Sequence, residues 1–260
     1  MCMAESTVAA PEKSSSRFAQ PQPEAEELYR RWIGFLDEEF TRHQAAERRA
    51  EIVRDQLFQL YLGRPHGGKL NFTLTSELPL NVLQLSLDPA NISLEAEHYP
   101  DVDRERFARS KPLLWFWIMF DRSPIGLNHW LGIRFRCMLG RHLFAKMGKS
   151  VAINHGVELT YGYNLSIEDG VIVRQRALLD DRAEIHIGKG AVIGTYARIY
   201  SHSHRCSWPG RPVGSHGPVR RRWCRSTLLT CPWRPLDRRR RRPLHQCGPA
   251  RTLAWTRPSS

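Results

Sequence analysis

No apolar run in this chain approaches the ~20 residues that a membrane-crossing helix needs. The longest, Leu113 to Phe120, is less than half that length. Residues 1–16 are polar and contain no apolar stretch of the kind a secretory signal carries. Cysteine is scarce where a core is expected. The chain has 6 Cys, of which only Cys2 and Cys137 precede residue 205, and none forms a C-x-x-C pair. That pattern argues against a zinc ribbon, a thioredoxin-like motif and a disulfide scaffold, and it predicts a cytoplasmic protein.

Acidic residues are scarce in one segment only. The formal net charge is +13, which by itself points to nucleic acid or an anionic surface. Residues 205–260 hold 14 Arg, no Lys and a single acid, Asp237, so they carry the whole excess. Residues 1–204 are neutral overall, and the whole-chain charge says nothing about their partner.

Residues 1–24 are rich in Ala, Ser, Pro and Gln and read as a disordered leader. From residue 25 to 147 the pattern is helical. Tyr29, Trp32, Ile33, Leu36 and Phe40 share one helical face, and Ile52, Val53, Leu57, Leu60 and Tyr61 continue it to Gly63-Arg64-Pro65. Residues 71–87 alternate weakly, as a strand or a loop would. Leu113 to Phe120 reads as a helix, a turn follows at Asp121 to Pro124, and a second helix runs from Trp130 to Met147. That second stretch mixes apolar residues with Arg134, Arg136, Arg141 and Lys146. Two helices packed on the next module explain it. A membrane-surface contact through residues 113–147, with bases snorkelling and aromatics inserted, is the alternative.

From residue 148 the texture changes to short aliphatic residues spaced by Gly, Asp and Asn. Ile187, Ile193 and Ile199 recur every six residues, and four places after each stands a small residue: Ala191, Ala197 and Ser203. Before a two-residue slip, Ile167, Val173 and Leu179 repeat the pattern, with Val171, Ala177 and Ala183 as the fifth residues. Ile153 and Leu159 extend it in a weaker phase. A six-residue period of this kind predicts a coil of short parallel strands. One branched aliphatic per hexad points into a narrow prism, and the small residue lets the backbone turn. The expected fold is therefore mainly β: a parallel β-helix over residues 148–204, preceded by a helical region over 25–147.

These hexads resemble the hexapeptide-repeat acyltransferases, and residues 157–204 are most similar to the branch of maltose, galactoside and nodulation O-acetyltransferases. Tyr161-Gly162 with Asn164, the hydrophobic-Asp-Asp turn Leu179-Asp180-Asp181, and the run from Ile187 to His204 carry the likeness. The resemblance implies a coenzyme A-dependent O-acyltransferase, using acetyl-CoA or another acyl-CoA, that acts on a hydroxyl of a sugar or related acceptor as a homotrimer. It assigns the general base to His204, with His202 as fallback on the same side of a strand. Imidazole suits that role because its ordinary pKa of ~6.5 permits proton acceptance at neutral pH. The resemblance also implies that Asp181 binds an acceptor hydroxyl; a simple turn acid is the other reading of that residue. Where the family has an Asn eight residues before that Asp, this chain has Val173 or Arg174. The resemblance also implies that the β-helix is left-handed and is truncated here: the coenzyme A site is expected in coils beyond His204 that this chain lacks, so the form as written is open to being inactive. His155 and His186 read as ordinary coil-surface residues. His202 and His204 are too few for zinc, which needs at least three ligands, so no metal is expected.

The repeat stops after His204. Residues 205–260 hold 8 of 17 Pro, 4 of 8 Trp and 4 of 6 Cys, yet no Ile, Phe, Tyr, Lys, Asn, Met or Glu. That bias is what GC-rich DNA yields when read out of frame, and the segment is expected to be disordered. The competing reading is a non-catalytic β-helix scaffold with a basic nucleic-acid-binding tail, using Arg220 to Arg222 and Arg238 to Arg242 as phosphate contacts. The lack of Lys and the Pro-Trp-Cys clusters argue against it. Translating the coding DNA of residues 205–260 in its other two frames should yield further Ile-Gly-type hexads. Their absence from both frames would remove the frameshift explanation.

Overall fold

The computed structural model describes residues 20–67, 70 and 74–202. The leader up to residue 19 and the tail lie outside the described residues. Helix α1 (Pro23–Arg42) opens on a proline, with Glu24 and Glu26 at the positive end of its dipole and Arg42 at the negative end. Helix α2 (Ala46–Leu62) closes on Gly63, whose φ of +65° is the left-handed conformation that ends many helices. The break at residues 43–45 makes the first helical stretch a pair. Helix α3 spans Leu78–Ser86. Helix α4 (Arg104–Arg122) is capped by Asp103, which accepts from Arg106 N at 3.0 Å. Helix α5 (His129–Leu143) is capped by Asn128, which accepts from Leu131 N at 3.0 Å. Phe135 of α5 stacks on Phe120 of α4 at 3.8 Å and on Trp32 of α1 at 5.5 Å, which locks these three helices around one aromatic centre.

The weakly alternating stretch is neither strand nor loop over its described part. Residues 75–77 form a 3-10 turn that runs into α3. The burial of α3 is inverted: Asn81 and Gln84 face inward, while Leu78, Leu80, Val82, Leu83 and Leu85 stand exposed. Gln84 accepts from Arg64 Nη2 at 2.9 Å, so polar contacts rather than apolar packing seat this helix. The aromatics of residues 113–120 lie mostly inward. Phe116, Trp117 and Phe120 are buried, as is Arg136. Among the described residues no helix is long and apolar enough to cross a membrane.

Among the described residues nine short strands follow: β1 (Lys146–Met147), β2 (Ala152–Ile153), β3 (Glu158–Leu159), β4 (Leu165–Ile167), β5 (Ile172–Val173), β6 (Leu178–Asp180), β7 (Ile185–Ile187), β8 (Val192–Ile193) and β9 (Arg198–Tyr200). They form three parallel sheets, β1-β4-β7, β2-β5-β8 and β3-β6-β9. The result is a parallel β-helix-like stack. The chain is not mainly β over its described residues: each strand has two or three residues, against 9 to 20 in each α-helix.

Register gives the coil length. Met147 pairs with Ile167 and Ile167 with Ile187; Leu159 pairs with Leu179 and Leu179 with Ile199. Every step is 20 residues, not the 18 of three plain hexads. The two-residue slip is thus one longer corner that recurs in each coil, and Ile153 and Leu159 are in full register. Val171, Val173, Ala177 and Leu179 fill the prism and are at most 1% exposed.

A stack of parallel coils leaves unpaired backbone groups at each end, and buried ones must find partners. Between coils, Ala152 N donates to Val171 O, Asn154 N to Val173 O and Glu158 N to Ala177 O, at 2.9 to 3.0 Å. The corresponding acceptors of the first coil, 20 residues earlier, are the carbonyls of Val151, Ile153 and Val157. No coil precedes them. Side chains from the helices take its place: Cys137 Sγ donates to Val151 O at 3.1 Å, Arg136 Nη1 to Ile153 O at 3.5 Å and Trp117 Nε1 to Val157 O at 2.8 Å. Burial pushes the Cys137 thiol above its ordinary value and keeps the proton it donates. Arg136 is held by Asp121, whose Oδ2 accepts from Gly156 N at 2.8 Å. Trp117→Phe keeps a ring in place but strands one carbonyl, and should cost about 1–3 kcal/mol in urea unfolding. Arg136→Met also leaves the Asp121 charge unpaired and should cost about 3–5 kcal/mol. Equal, near-zero losses in both variants would show that this edge needs no side-chain donors.

Candidate active site

The longer corner builds the site. It contains Tyr161 to Asn164 in one coil and Asp181 to Glu184 in the next, stacked by the 20-residue register. Asp181 is fully buried. Its Oδ1 accepts from Tyr161 N at 2.8 Å and its Oδ2 from Asn164 N at 3.1 Å. Asn164 answers with Nδ2 to Asp181 O at 3.0 Å. Burial raises the Asp181 pKa above the usual carboxylate range, even though the amides of Tyr161, Gly162 and Asn164 pull the other way. The acid expected to hold an acceptor hydroxyl therefore holds the turn of the preceding coil, and it presents no exposed oxygen to a ligand. Gly162 is required by the same corner. Its φ is +77°, and a Cβ there would lie 2.6 Å from Leu143 Cγ at the end of α5.

His204 lies outside the described residues. His202 sits above Arg182, again one coil apart. Arg182 Nη1 is 3.1 Å from His202 Nε2, and Asp180 Oδ2 is 3.5 Å from His202 Nδ1. A guanidinium only donates, so Nε2 accepts, and the ring proton is assigned to Nδ1 on the Asp180 side. Arg182 is anchored in turn. Its Nη2 lies 2.9 Å from Asp101 Oδ1 and its Nε 3.2 Å from Oδ2, a two-point grip, and its Cζ lies 4.2 Å from the Tyr99 ring centre. Tyr161 donates to the same Asp101 at 3.2 Å. Burial and the Asp101 charge push the Tyr161 hydroxyl well above its ordinary value, so it stays a donor.

The corner thus gathers His202, Asp180, Arg182, Asp101, Tyr99 and Tyr161, and turns the predicted Asp181 inward. Sequence reading missed Asp180, Arg182 and Asp101. A coil length of 20 would have found the first two, because residues 180 and 182 fall beneath 200 and 202. Asp101 comes from the segment before α4 and carries no repeat signal. His155 Nε2 lies 2.9 Å from Asp121 O, and His186 is an exposed residue 3.2 Å from Glu168. Among the described residues no group of three or more His, Cys, Asp or Glu side chains is placed to hold a metal ion.

A groove of about 730 Å³ runs beside this corner, between α4 and the outer face of sheet β3-β6-β9. Glu158, Thr160, Leu178, Asp180 and Tyr200 line its sheet side. Asp180 belongs to both groove and corner. No protein-family model matches the chain, and no solved structure matches it significantly.

The Asp101–Arg182 pair gives a pH signature. Burial works to raise the Asp101 pKa, but the Arg182 guanidinium, a backbone amide and the Tyr161 hydroxyl together outweigh it and hold the carboxyl below its usual range. A lowered carboxyl stabilises the fold above its unfolded pKa, and that contribution is lost as pH falls through the lowered folded value. Arg182→Met should return the Asp101 titration, followed by carboxyl-carbon NMR, to the ordinary range. An unmoved titration would mean that the pair does not persist in solution.

Proposed function

We propose that the chain is a coenzyme A-dependent O-acyltransferase of the hexapeptide-repeat type, with a left-handed β-helix, working as a cytoplasmic homotrimer on a hydroxyl-bearing acceptor such as a sugar. One observation carries the reading: the hexads stack in register and lead, two residues past the last strand, to a histidine at a polar corner, beside a groove large enough for a ligand. His204 is the proposed base and His202 its alternate. The base takes the proton from the acceptor hydroxyl as its oxygen attacks the thioester carbonyl. The thiolate of coenzyme A leaves and is protonated. Acyl-CoA is the only co-substrate this scheme needs. Arg182 bears on the choice of base, because its Nη1 lies 3.1 Å from His202 Nε2 and, as a donor, takes up the lone pair that a base would use.

The test is release of coenzyme A thiol from acetyl-CoA across a panel of sugar acceptors, by the chain as written and by a form whose reading frame is restored after residue 204. Acceptor-dependent release is expected from the restored form, and loss of release in the chain as written would match a donor site missing with the absent coils. In the restored form His204→Ala should lower release by about 10²–10⁴-fold, the usual worth of a positioned base. If His202→Ala does so instead, the base is His202. Acceptor-independent or absent release from the folded, restored form would overturn the enzyme. Salt-sensitive DNA binding that disappears on deleting residues 205–260 would then support the scaffold alternative, for which the Arg-rich composition of that segment speaks.

A further inference from the structure

We infer that the open end of the last coil, where β7, β8 and β9 present their edges together, is the interface of a head-to-head dimer, and that it is covered by the same end of a second copy of this chain. The backbone donors come first. Glu168 N donates to Ile187 O, Ile172 N to Ala191 O and Leu178 N to Ala197 O, one bond in each sheet, at 2.8 to 3.0 Å. Twenty residues on, the corresponding donors are the amides of Gly188, Val192 and Arg198. Among the described residues no further coil accepts from them. The apolar filling is uncovered at the same place. Val171, Val173, Ala177 and Leu179 are at most 1% exposed. Their counterparts in the last coil, Ala191, Ile193, Ala197 and Ile199, are only half-buried. Val192 and Tyr196 of that coil are 58% and 62% exposed. A sheet edge with an apolar floor behind it is a template for pairing with another chain.

The shape of this edge selects its partner. Residues 205–260 do not continue the repeat: they hold no Ile and 8 Pro, and proline cannot donate to a ladder. A lone strand or helix covers one side of a three-sided edge and leaves the other two open. A coil of the same perimeter covers all three, and the end of a second copy is such a coil. A two-fold axis across the prism maps the triangular end onto itself and reverses the direction of its strands, so every side meets an antiparallel partner. Each edge strand offers both N–H and C=O groups, and the pairing satisfies both copies. Head-to-tail stacking is blocked, because the first coil already accepts from Cys137, Arg136 and Trp117. The contact therefore closes at two copies and does not grow into a fibre. It rests on the coil alone and not on the acyl-transfer reading.

The full chain would be weighed by sedimentation equilibrium and treated with a short amine cross-linker. Paired copies are expected, and they should tighten as salt screens the +13 that residues 205–260 carry in each. Lys149 and Lys189 are exposed and stand at the same corner two coils apart, with Asp169 between them. A link between the same residue of two chains is necessarily intermolecular. Lys189–Lys189 links should form and Lys149–Lys149 links should not, because the second pair lies about 19 Å further apart along the axis, four strand spacings of ~4.8 Å. Copies set side by side with parallel axes would instead hold both pairs at equal distance. Ile193→Lys and Ile199→Lys each place an ammonium on the floor of the contact and should raise the dissociation constant at least about a hundredfold, with the melting temperature followed in parallel. Whatever either change does to the last coil, the links in the unmodified chain are an independent readout. Both links in equal yield would mark a side-by-side assembly and overturn the inference. So would a monomer at every salt concentration, or pairing that survives both variants with the fold intact.

Discussion

A stack of parallel coils cannot satisfy its own first edge, and the architecture before it answers that constraint. The carbonyls of Val151, Ile153 and Val157 face a coil that does not exist. In an ordinary sheet, water or a neighbouring chain would take such an edge, with aggregation as the hazard. Here the donors come from a thiol, a guanidinium and an indole, all projecting from α4 and α5. The three differ in reach, and the difference matters. A helix cannot run parallel to three sheets at once, so residues of different lengths must meet carbonyls at different depths. Arg136 is the costly member. A buried guanidinium needs a counter-charge, Asp121 supplies it, and Asp121 in turn holds Gly156 N and so reaches back into the first coil.

The second organising feature is the long corner. Plain hexads would give three equal sides. Two extra residues per coil create a protruding corner whose backbone must be held from within, and Asp181 does this by accepting from the amides of the preceding coil. The protrusion leaves Asp180 and Arg182 on the outside, where the segment before α4 meets them through Asp101 and Tyr99. Arg106 adds a second tie, with Nη2 donating to Tyr163 O at 2.7 Å and its Cζ 4.4 Å from the Tyr163 ring centre. The corner is therefore clamped from inside by the Asp181 carboxylate and from outside by the Arg106 guanidinium and by Asp101, which grips the corner's own Arg182. That rigidity suits a place where an imidazole must be oriented.

Much of this could be read from the sequence, but unevenly. Hexad aliphatics such as Ile167, Val173 and Leu179 could be recognised because each repeats an environment, and repetition survives without knowledge of neighbours. The helices containing Leu36 and Phe120 could be seen for the same reason, since a buried face has a period. What stayed hidden depends on single contacts. Arg136 looks like a surface base on a basic helix, and only the missing coil explains its burial. Helix α3 defeats periodicity because its leucines face outward while Asn81 and Gln84 face in. Asp180 and Asp181 are adjacent and chemically identical; which one faces the prism follows from strand alternation, and the slip had obscured that phase. Asp101 is remote in sequence and belongs to no pattern at all.

Helix α4 joins the two problems. Trp117 caps the Val157 carbonyl and also lines the groove, and Asp121 both pairs with Arg136 and lies on the groove wall. The groove therefore cannot widen without uncapping the coil, at the cost of a stranded carbonyl and an unpaired buried charge. Such coupling makes the wall stiff. A stiff wall loses little entropy when a ligand arrives and can discriminate by shape. The sheet side is equally fixed, because Glu158, Leu178 and Arg198 are set by parallel pairing at consecutive 20-residue steps. Selectivity in this groove then resides in the few side chains that project into it, not in rearrangement of its walls. Substitutions at those positions can alter what binds without disturbing the coil that presents them.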